Sequence, residues 1–411
     1  MNWMRALRSP RLGPVEPLPR RVEQAGTITL GIMGFMLPGS VAGVSLCMAA
    51  LLVLTLIAAP RLWRQAPWRE PTMAVGLVLL AFIALHTLVT TGWSGRGAVN
   101  RYHELLLAVV LLAWFRAIRG RDAFLWGLTL GGAVLCTLFW VGPFVPSLPP
   151  DELELRRISA GFVLAVSSLV LLVESGRMKS PWAWRAAALF LALTVLFRID
   201  SRTGHLVMLV LVALAAWLAS PPRWRVPAAV SLTALALAIA QLSPVVKERA
   251  LETWTVLQDP QPDVVTSTGI RRALLGGAVA IAQDHYTTGV GYARYAEAHE
   301  ATVTKLHGAD PAWTEALRAP WVRSSNPHNE YLMQLAGGGV LGLALFLAWL
   351  GLPLLRRSAH GRGSLLLTAA VSSFAVSCLF NSALMDFVEG HFYASLLAWL
   401  LARQSVPSPR A

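Results

Sequence analysis

The residues best suited to chemistry stand immediately before a long apolar run. In SSNPHNEYLMQLAGGGVLGL, His328 lies between Asn326 and Asn329. Asn326 is a favourable N-cap residue and the proline after it is favourable at the first helical position, so the pattern predicts His328 in the first turn of a helix. The positive end of the helix dipole disfavours imidazolium there, which leaves a neutral imidazole able to accept a proton. A capping or interfacial histidine without a catalytic role is the alternative.

Four arginines lie on two other segments, where the predicted orientation in the membrane does not require basic residues. Arg198 and Arg202 bracket the turn in FRIDSRTGHL, where Ser201 is predicted to cap the following helix, and Arg271 and Arg272 open an amphipathic helix in STGIRRALL. Either pair can belong to a functional site, but the first pair can equally be snorkelling residues at a membrane surface, and the second pair can be solvated surface residues.

The elements that hold these residues are predicted to be membrane helices. Of the 411 residues 55% are hydrophobic and 14% are charged, whereas charged residues make up about a quarter of an ordinary soluble domain. Apolar runs of the length needed to cross a ~30 Å hydrocarbon core recur, and such runs must be helical because lipid offers the backbone no partner. The sequence thus predicts an all-α polytopic membrane protein. The glycines after His328, at 337–339 and 342, predict close helix packing or a kink.

Twelve spans are predicted, and they divide the chain into three parts. Residues 1–242 hold about nine transmembrane helices, residues 243–330 form a periplasmic loop subdomain containing helices, and residues 331–411 hold about three more. Alternate loops carry most of the 35 Lys and Arg residues, so the net charge of +13 is assigned to cytoplasmic loops and not to nucleic acid binding, and both termini are placed in the cytoplasm. The spans lie near Gly26–Leu37, Val41–Ala59, Thr72–Thr91, Tyr102–Phe115, Asp122–Val141, Ile158–Glu174, Trp182–Phe197, Gly204–Ala219, Val226–Leu242, Tyr331–Leu355, Ser364–Leu384 and His391–Leu401.

The long loop has acidic and histidine side chains but no recognisable metal signature. Glu248, Glu297 and Glu300 are spaced without a known ligand pattern, and His285 and His299 are scattered. We therefore predict neither a metal nor a cofactor.

Three stretches together resemble the O-antigen ligase and polymerase superfamily of bacterial cell-envelope glycosyltransferases. They are DSRTGHL, TGIRRALLGGAVAIAQDHYTTGVG and NPHNEYLMQLAGGGVLGLALFL, in that order between Phe197 and Leu347. The resemblance implies an architecture like that of GT-C glycosyltransferases and transfer of a glycan from undecaprenyl diphosphate at the periplasmic face of the bacterial inner membrane. For the ligase branch, which the chain is most like, the glycan is O-antigen polysaccharide and the acceptor is the lipid A-core oligosaccharide.

The resemblance also implies roles for individual residues. His328 is similar to the family's proposed base, which takes the proton from the acceptor hydroxyl as it attacks the anomeric carbon with inversion. Arg202 and Arg271 look like the arginines that bind the diphosphate in place of a metal. The remaining candidates are Arg198 and Arg272 on the diphosphate and Asn326 and Asn329 as support for the histidine.

Three rival functions stay open at this point. A polymerase of the same superfamily uses a second carrier-linked glycan as acceptor, and a protein O-oligosaccharyltransferase uses a serine or threonine side chain. The third rival is a membrane transporter, which has membrane lipids as its surroundings but catalyses no transfer. Transporters tend to place charges and broken helices at the bilayer midplane, whereas the polar residues here are predicted to lie at one face. That asymmetry favours an enzyme.

Overall fold

The computed structural model describes residues 17–145, 150–258, 267–308, 311, 315, 326–355 and 362–404. The regular structure of these residues is helical, and they contain no strand. Both extreme termini, predicted to be cytoplasmic, and part of the predicted loop subdomain lie outside the described residues. The helices are α1 Arg20–Met36, α2 Val41–Arg64, α3 Pro71–Thr91, α4 Arg96–Asn100, α5 Glu104–Ala117, α6 Ala123–Val141, α7 Pro150–Glu174, α8 Pro181–Phe197, α9 Arg202–Ala219, α10 Arg225–Leu242, α11 Pro244–Gln258, α12 Ser267–Asp284, α13 Tyr295–His307, α14 Glu330–Leu355, α15 Arg362–Ser377 and α16 Phe387–Gln404.

The apolar runs of the sequence all form helices, and several have the dimensions of membrane spans. Leu46, Leu56 and Val89 point outward with 72%, 79% and 77% of their surface exposed, as side chains facing lipid do. These features fit an integral membrane protein, while the number twelve stays a prediction. By length and composition, the described helices suited to crossing a membrane are Val41–Arg64, Pro71–Asn100, Ala123–Phe144, Arg157–Arg177 and Glu330–Leu355, with shorter apolar helices at Pro181–Phe197, Arg202–Leu218 and Arg362–Ser377.

The predicted end of one span is wrong. The apolar run from Ser364 to Leu384 was expected to be helical throughout, but α15 ends at Ser377 and residues 378–386 form turns. Asn381 and Ser382 interrupt the run, and such residues favour turns because their side chains compete with the helical backbone hydrogen bonds. We call residues 378–386 the α15–α16 connection.

The buried centre of the bundle is formed where α5 packs against α16. Leu111 and Trp114 of α5 are fully buried, as are Leu397 and Trp399 of α16. The indole of Trp114 also donates to Thr55 of α2, 2.8 Å away. This packing fixes the beginning of α16, and with it one end of the α15–α16 connection.

Helix α14 is broken at Gly339, which confirms the kink that the glycines predicted. Gly339 has φ +66°, a conformation in which a side chain would be strained. A Cβ at this position would also lie 2.3 Å from the carbonyl oxygen of Thr287. Glycine is therefore required here both by the backbone conformation and by the close approach of another segment.

That other segment is the turn between α12 and α13, which supplies hydrogen bonds to the broken part of α14. A break in a membrane helix leaves backbone groups without their usual partners, and here the turn replaces them. The bonds run from Val290 N to Ala336 O (2.8 Å), from Gly291 N to Gly337 O (2.9 Å) and from Val340 N to Tyr286 O (2.8 Å).

We predict that Gly289→Ala destabilises the protein at this junction. Gly289 has φ +70°, and a Cβ there would lie 2.5 Å from the backbone carbon of Gly337. The left-handed conformation alone costs a residue with a side chain ~1–2 kcal/mol, and the contact adds to this cost. Thermal unfolding in detergent should show a clearly lower midpoint for the variant.

The matched control is Gly276→Ala. Gly276 lies within α12, and a Cβ there would meet nothing within 4 Å. Alanine favours a helix over glycine by about 1 kcal/mol, so this variant should be as stable as the original or slightly more so. Equal stability of the two variants would contradict the junction described above.

Candidate functional site

His328 lies one residue before the N-cap of α14 and not in its first turn, so the predicted helix start is wrong. The helix begins at Glu330, and the side chain of Asn329 caps it by accepting from Leu332 N at 2.9 Å. The reason is a local turn: the side chain of Asn326 accepts from His328 N at 2.7 Å. Such a turn competes with helix formation and delays the start of α14.

The backbone of His328 is in an uncommon conformation. Its φ is +53°, and Ala66 is the other residue besides glycine with positive φ among those that the structure describes. Such conformations cost of order 1–3 kcal/mol and persist where the surroundings impose them, often at functional sites. The position of the imidazole is thus set by the turn and not by helix geometry.

The surroundings of His328 favour a neutral imidazole. Burial lowers the pKa of His328 below its ordinary value, and the positive charge of Arg271 lowers it further. Hydrogen bonding to Asn381 raises the pKa but does not outweigh the other two effects. The direction agrees with the one expected from the sequence, which also predicted that nearby arginines lower this pKa, but burial is the larger cause and His328 does not lie in the first helical turn.

The α15–α16 connection holds the turn that carries His328. Asn381 in this connection is buried, and only the fold brings it to His328 and Asn326. Sequence reasoning missed Asn381 because 55 residues separate it from Asn326. The bonds run from Glu330 N to Cys378 O (2.8 Å), from Asn329 Nδ2 to Leu379 O (3.1 Å), from Asn326 Nδ2 to Asn381 Oδ1 (3.4 Å) and from Leu384 N to Glu330 Oε2 (3.0 Å).

We predict that Asn381→Ala slows the glycan transfer that the family resemblance implies, because His328 loses a hydrogen bond that orients its imidazole. Loss of one hydrogen bond of ~0.5–1.5 kcal/mol corresponds to a rate reduction of roughly two- to tenfold. Because this hydrogen bond raises the pKa of His328, its removal should also move the acid limb of the pH–rate profile to lower pH. A reduced rate with an unchanged profile would indicate a purely structural role for Asn381.

A buried polar chain joins the start of α14 to its break. Glu330 is fully buried and accepts from the side chain of Gln334 at 2.8 Å. The oxygen of Gln334 in turn accepts from the hydroxyl of Tyr292 at 2.8 Å. Tyr292 follows directly on the turn that is hydrogen bonded to the break at Gly339. Helix α14, which begins directly after the turn carrying His328, is therefore joined to the segment between α12 and α13 at two places. One is this polar chain, and the other is the set of backbone hydrogen bonds at the break.

The structure places Arg271 and Arg198 differently. Arg271 is exposed on α12 and influences His328 electrostatically, and the neighbouring Arg272 is exposed as well. Arg198 donates to the carbonyl of Phe139 through Nε and Nη2 at 3.2 and 3.1 Å, and its guanidinium lies 5.2 Å from the ring centroid of Trp140. Of these three arginines, Arg271 is the one whose charge acts on His328.

Arg202 lies at an apolar cavity. It is the first residue of α9, and Ser201 caps that helix as predicted, accepting from Gly204 N at 3.1 Å. The cavity has a volume of about 460 Å³ and lies between α8, α9, α10 and α11. Arg202 and His205 are the polar residues among side chains that include Leu196, Leu206, Leu209, Leu232, Leu235 and Ile239.

The beginning of α7 links the arginine turn to the α15–α16 connection. Arg157 donates to Asp200 in that turn at 3.4 Å. Two residues further along α7, Ser159 donates to Asp386 in the connection at 3.3 Å. The turn that precedes Arg202 and the connection that holds His328 therefore share one support.

No group of three metal-ligating side chains surrounds His328 among the described residues. The group that does occur in them is formed by His103, Glu104 and His391, at the beginnings of α5 and α16.

Comparison with known families identifies this region. Residues 187–347 match the family described as O-antigen ligase. Over this region the chain resembles the O-antigen ligase family. The matched region begins within α8 and ends within α14, so it includes both arginine segments, His328 and the broken helix. The resemblance inferred from the three sequence stretches is thereby confirmed, and the family is one of glycosyl-transferring enzymes. No curated protein sequence matched the chain.

Proposed function

We propose that this protein is an O-antigen ligase. It transfers O-antigen polysaccharide from undecaprenyl diphosphate to the lipid A-core oligosaccharide, with inversion at the anomeric carbon and without a catalytic metal. The observation that carries the proposal is that the positive charge of Arg271 acts on His328 within the region that matches the O-antigen ligase family. A proton acceptor beside a positive charge suits a reaction in which a hydroxyl attacks and a diphosphate leaves.

His328 is the general base in this proposal. Its imidazole takes the proton of the acceptor hydroxyl while the hydroxyl oxygen forms a bond to the anomeric carbon. The bond from that carbon to the diphosphate oxygen breaks at the same time, and the electron pair leaves with undecaprenyl diphosphate. The lowered pKa of His328 keeps the imidazole in the proton-accepting form at neutral pH.

Arg271 and Arg202 stabilise the leaving diphosphate in this proposal. Negative charge develops on the diphosphate as the bond breaks, and guanidinium groups stabilise it through charge-assisted hydrogen bonds. Arg202 has the further property of lining an apolar cavity. A carrier that combines a hydrocarbon chain with a charged head group suits a site built from an apolar wall and an arginine. Arg198 and Arg272 remain candidates for the same head group, and Asn326 and Asn329 support the histidine.

The proposal also assigns a location. The protein lies in the bacterial inner membrane with both termini in the cytoplasm, and the end of the bundle that carries His328 faces the periplasm. The distribution of basic residues along the sequence supports this orientation.

Reconstitution with defined substrates tests the proposal. Purified protein is given carrier-linked O-antigen glycan together with lipid A-core, with a second carrier-linked glycan, or with a serine- and threonine-containing peptide. Glycosylated lipid A-core and free undecaprenyl diphosphate are expected from the first mixture alone. Product from the second or third mixture only would replace the proposal by a polymerase or a protein O-oligosaccharyltransferase. Movement of the carrier-linked glycan across a vesicle membrane, without glycan transfer to any acceptor, would indicate a transporter.

A deletion strain separates ligase from polymerase in cells. Loss of a ligase leaves carrier-linked polymer that is not attached to lipid A-core. Loss of a polymerase leaves only single repeat units, and that result would contradict the proposal.

A further inference from the structure

Two histidines from distant parts of the chain face each other at the start of α5 and α16. His103 directly precedes α5, and His391 lies in the first turns of α16. Their Nε2 atoms are 3.1 Å apart. Glu104 lies beside both rings, with its Oε1 3.3 Å from His391 Nδ1 and 4.0 Å from His103 Nδ1. The three side chains thus form a single cluster.

The hydrogen bonds of the two rings determine their tautomers. His103 Nδ1 lies 2.6 Å from the carbonyl oxygen of Asn100, and His391 Nδ1 lies 2.6 Å from that of Phe387. A carbonyl oxygen can only accept, so each Nδ1 must carry a hydrogen. Each neutral ring then has a lone pair on Nε2, and the two Nε2 atoms are 3.1 Å apart. A cation held by both nitrogens, either a proton or a metal ion, relieves the repulsion between the two lone pairs.

The burial of the cluster makes a bound cation more favourable. His391 is fully buried and Glu104 is 2% exposed. The Oε2 atom of Glu104 is buried without a hydrogen-bond partner in the described structure. A buried carboxylate is unfavourable as a charged group unless it is paired or bound to a metal, and otherwise it takes up a proton. The cluster therefore combines two imidazole lone pairs with a buried carboxylate oxygen that has no hydrogen-bond partner among the described residues.

We propose that His103, Glu104 and His391 bind a first-row divalent metal ion of the Zn²⁺ type. Imidazole and carboxylate are ligands that zinc accepts, with bonds of about 2.0–2.2 Å. In a tetrahedral site such bonds place neighbouring ligand atoms about 3.3 Å apart, close to the 3.1 Å between the two Nε2 atoms. One nitrogen of each ring and one Glu104 oxygen lie within 4.8 Å of one another, and the ion draws them together.

The contacts around the cluster match those of known metal sites. Histidines that bind a metal through one nitrogen commonly donate the other N–H to a backbone carbonyl, as both rings do here. Three protein ligands leave a fourth position for water. The side chain of His103 is 31% exposed, which gives an ion a route to the site. The sequence prediction of no metal did not consider this pair, because 288 residues separate the two histidines.

The site fastens α5 to α16 next to the α15–α16 connection. The ring of Phe387, the first residue of α16, stacks on His391 with centroids 3.8 Å apart. The connection that ends there holds Asn381 against His328. The bound ion therefore stabilises the support of His328 without taking part in the transfer reaction.

Metal analysis of the full-length protein tests the site. The protein is purified through a tag that contains no histidine, incubated with Zn²⁺, freed of unbound ion and analysed by mass spectrometry. The original chain should retain about one zinc per chain. The His391→Asn and Glu104→Gln variants, which keep the side-chain shape, should each lose at least about nine-tenths of it. His285→Ala, which removes an exposed histidine elsewhere, should retain the full amount.

X-ray absorption at the zinc edge gives the ligands directly. Two imidazole nitrogens at about 2.0 Å are expected for the original chain. Retention of no more zinc by the original chain than by His391→Asn would overturn the proposal and show that the rings share a proton. Full retention by both ligand variants, or a spectrum without imidazole, would overturn it as well.

Discussion

Replacing His328 with alanine is expected to reduce glycan transfer by about 10²–10⁴-fold, the contribution usual for a general base. The protein should stay folded, because the side chains of Asn326 and Asn329 still hold the turn around His328 when the imidazole is removed. The measurement is the transfer rate of purified variant from carrier-linked glycan to lipid A-core. His285→Ala serves as control, since this histidine is exposed on the same loop subdomain. Near-normal transfer by folded His328→Ala would rule out the base assignment.

The pH dependence of the original protein gives a second readout of the same base. Burial and Arg271 lower the pKa of His328, so the imidazole stays neutral at pH values where an ordinary histidine is already protonated. The transfer rate should therefore fall only below the ordinary histidine pKa of about 6.5 as the pH decreases. An acid limb centred above that value would contradict the environment described for His328.

Replacing either Arg202 or Arg271 with lysine is expected to slow transfer by roughly ten- to a hundredfold. A lysine keeps the charge but cannot form two parallel hydrogen bonds to a phosphate. A charge-assisted hydrogen bond contributes ~1.5–3 kcal/mol, which corresponds to this range if the bond acts in the transition state. Arg294→Lys, which changes an exposed arginine at the start of α13, is the control at matched expression. Wild-type rates in both lysine variants would show that these arginines only anchor the protein at the membrane surface.

Arg271 also permits a test that separates its effect on His328 from its effect on the diphosphate. Arg271→Met removes the positive charge that lowers the pKa of His328. The acid limb of the pH–rate profile should then move to higher pH, whereas it should stay nearly in place in Arg271→Lys. Asn381→Ala is expected to move the same limb in the opposite direction. Identical profiles in all three variants would mean that His328 does not titrate in the reaction.

The sequence predicted the helices well because their determinants are local. The apolar runs, the cap at Ser201 and the kink at the glycines depend on residues within one or two turns of one another. The start of α14 was predicted wrongly because two asparagines compete to cap this helix. Asn326 binds His328 N in a turn, and this leaves Asn329 as the cap. Both asparagines are suitable cap residues, so the pattern alone does not choose between them.

The contacts that complete the site depend on distant parts of the chain. Asn381 meets Asn326 across 55 residues, and His103 meets His391 across 288. No spacing rule connects such pairs, because each lies on a different helix or turn. The sequence predicted Arg271 and His328 to belong to one site, but through a family resemblance and not through geometry. Their proximity depends on how the segment between α12 and α13 packs on α14.

The packing of the turn between α12 and α13 on α14 determines which segment can be exchanged between related proteins. Backbone hydrogen bonds join the turn at Val290 and Gly291 to Ala336 and Gly337, beyond the predicted domain boundary at residue 330. A chimera that takes only residues 243–330 from a relative would pair one protein's turn with another protein's broken helix. A donor segment that continues through Gly342 would bring both partners of each bond. An exchange of this region between relatives therefore requires one block that includes the first half of α14.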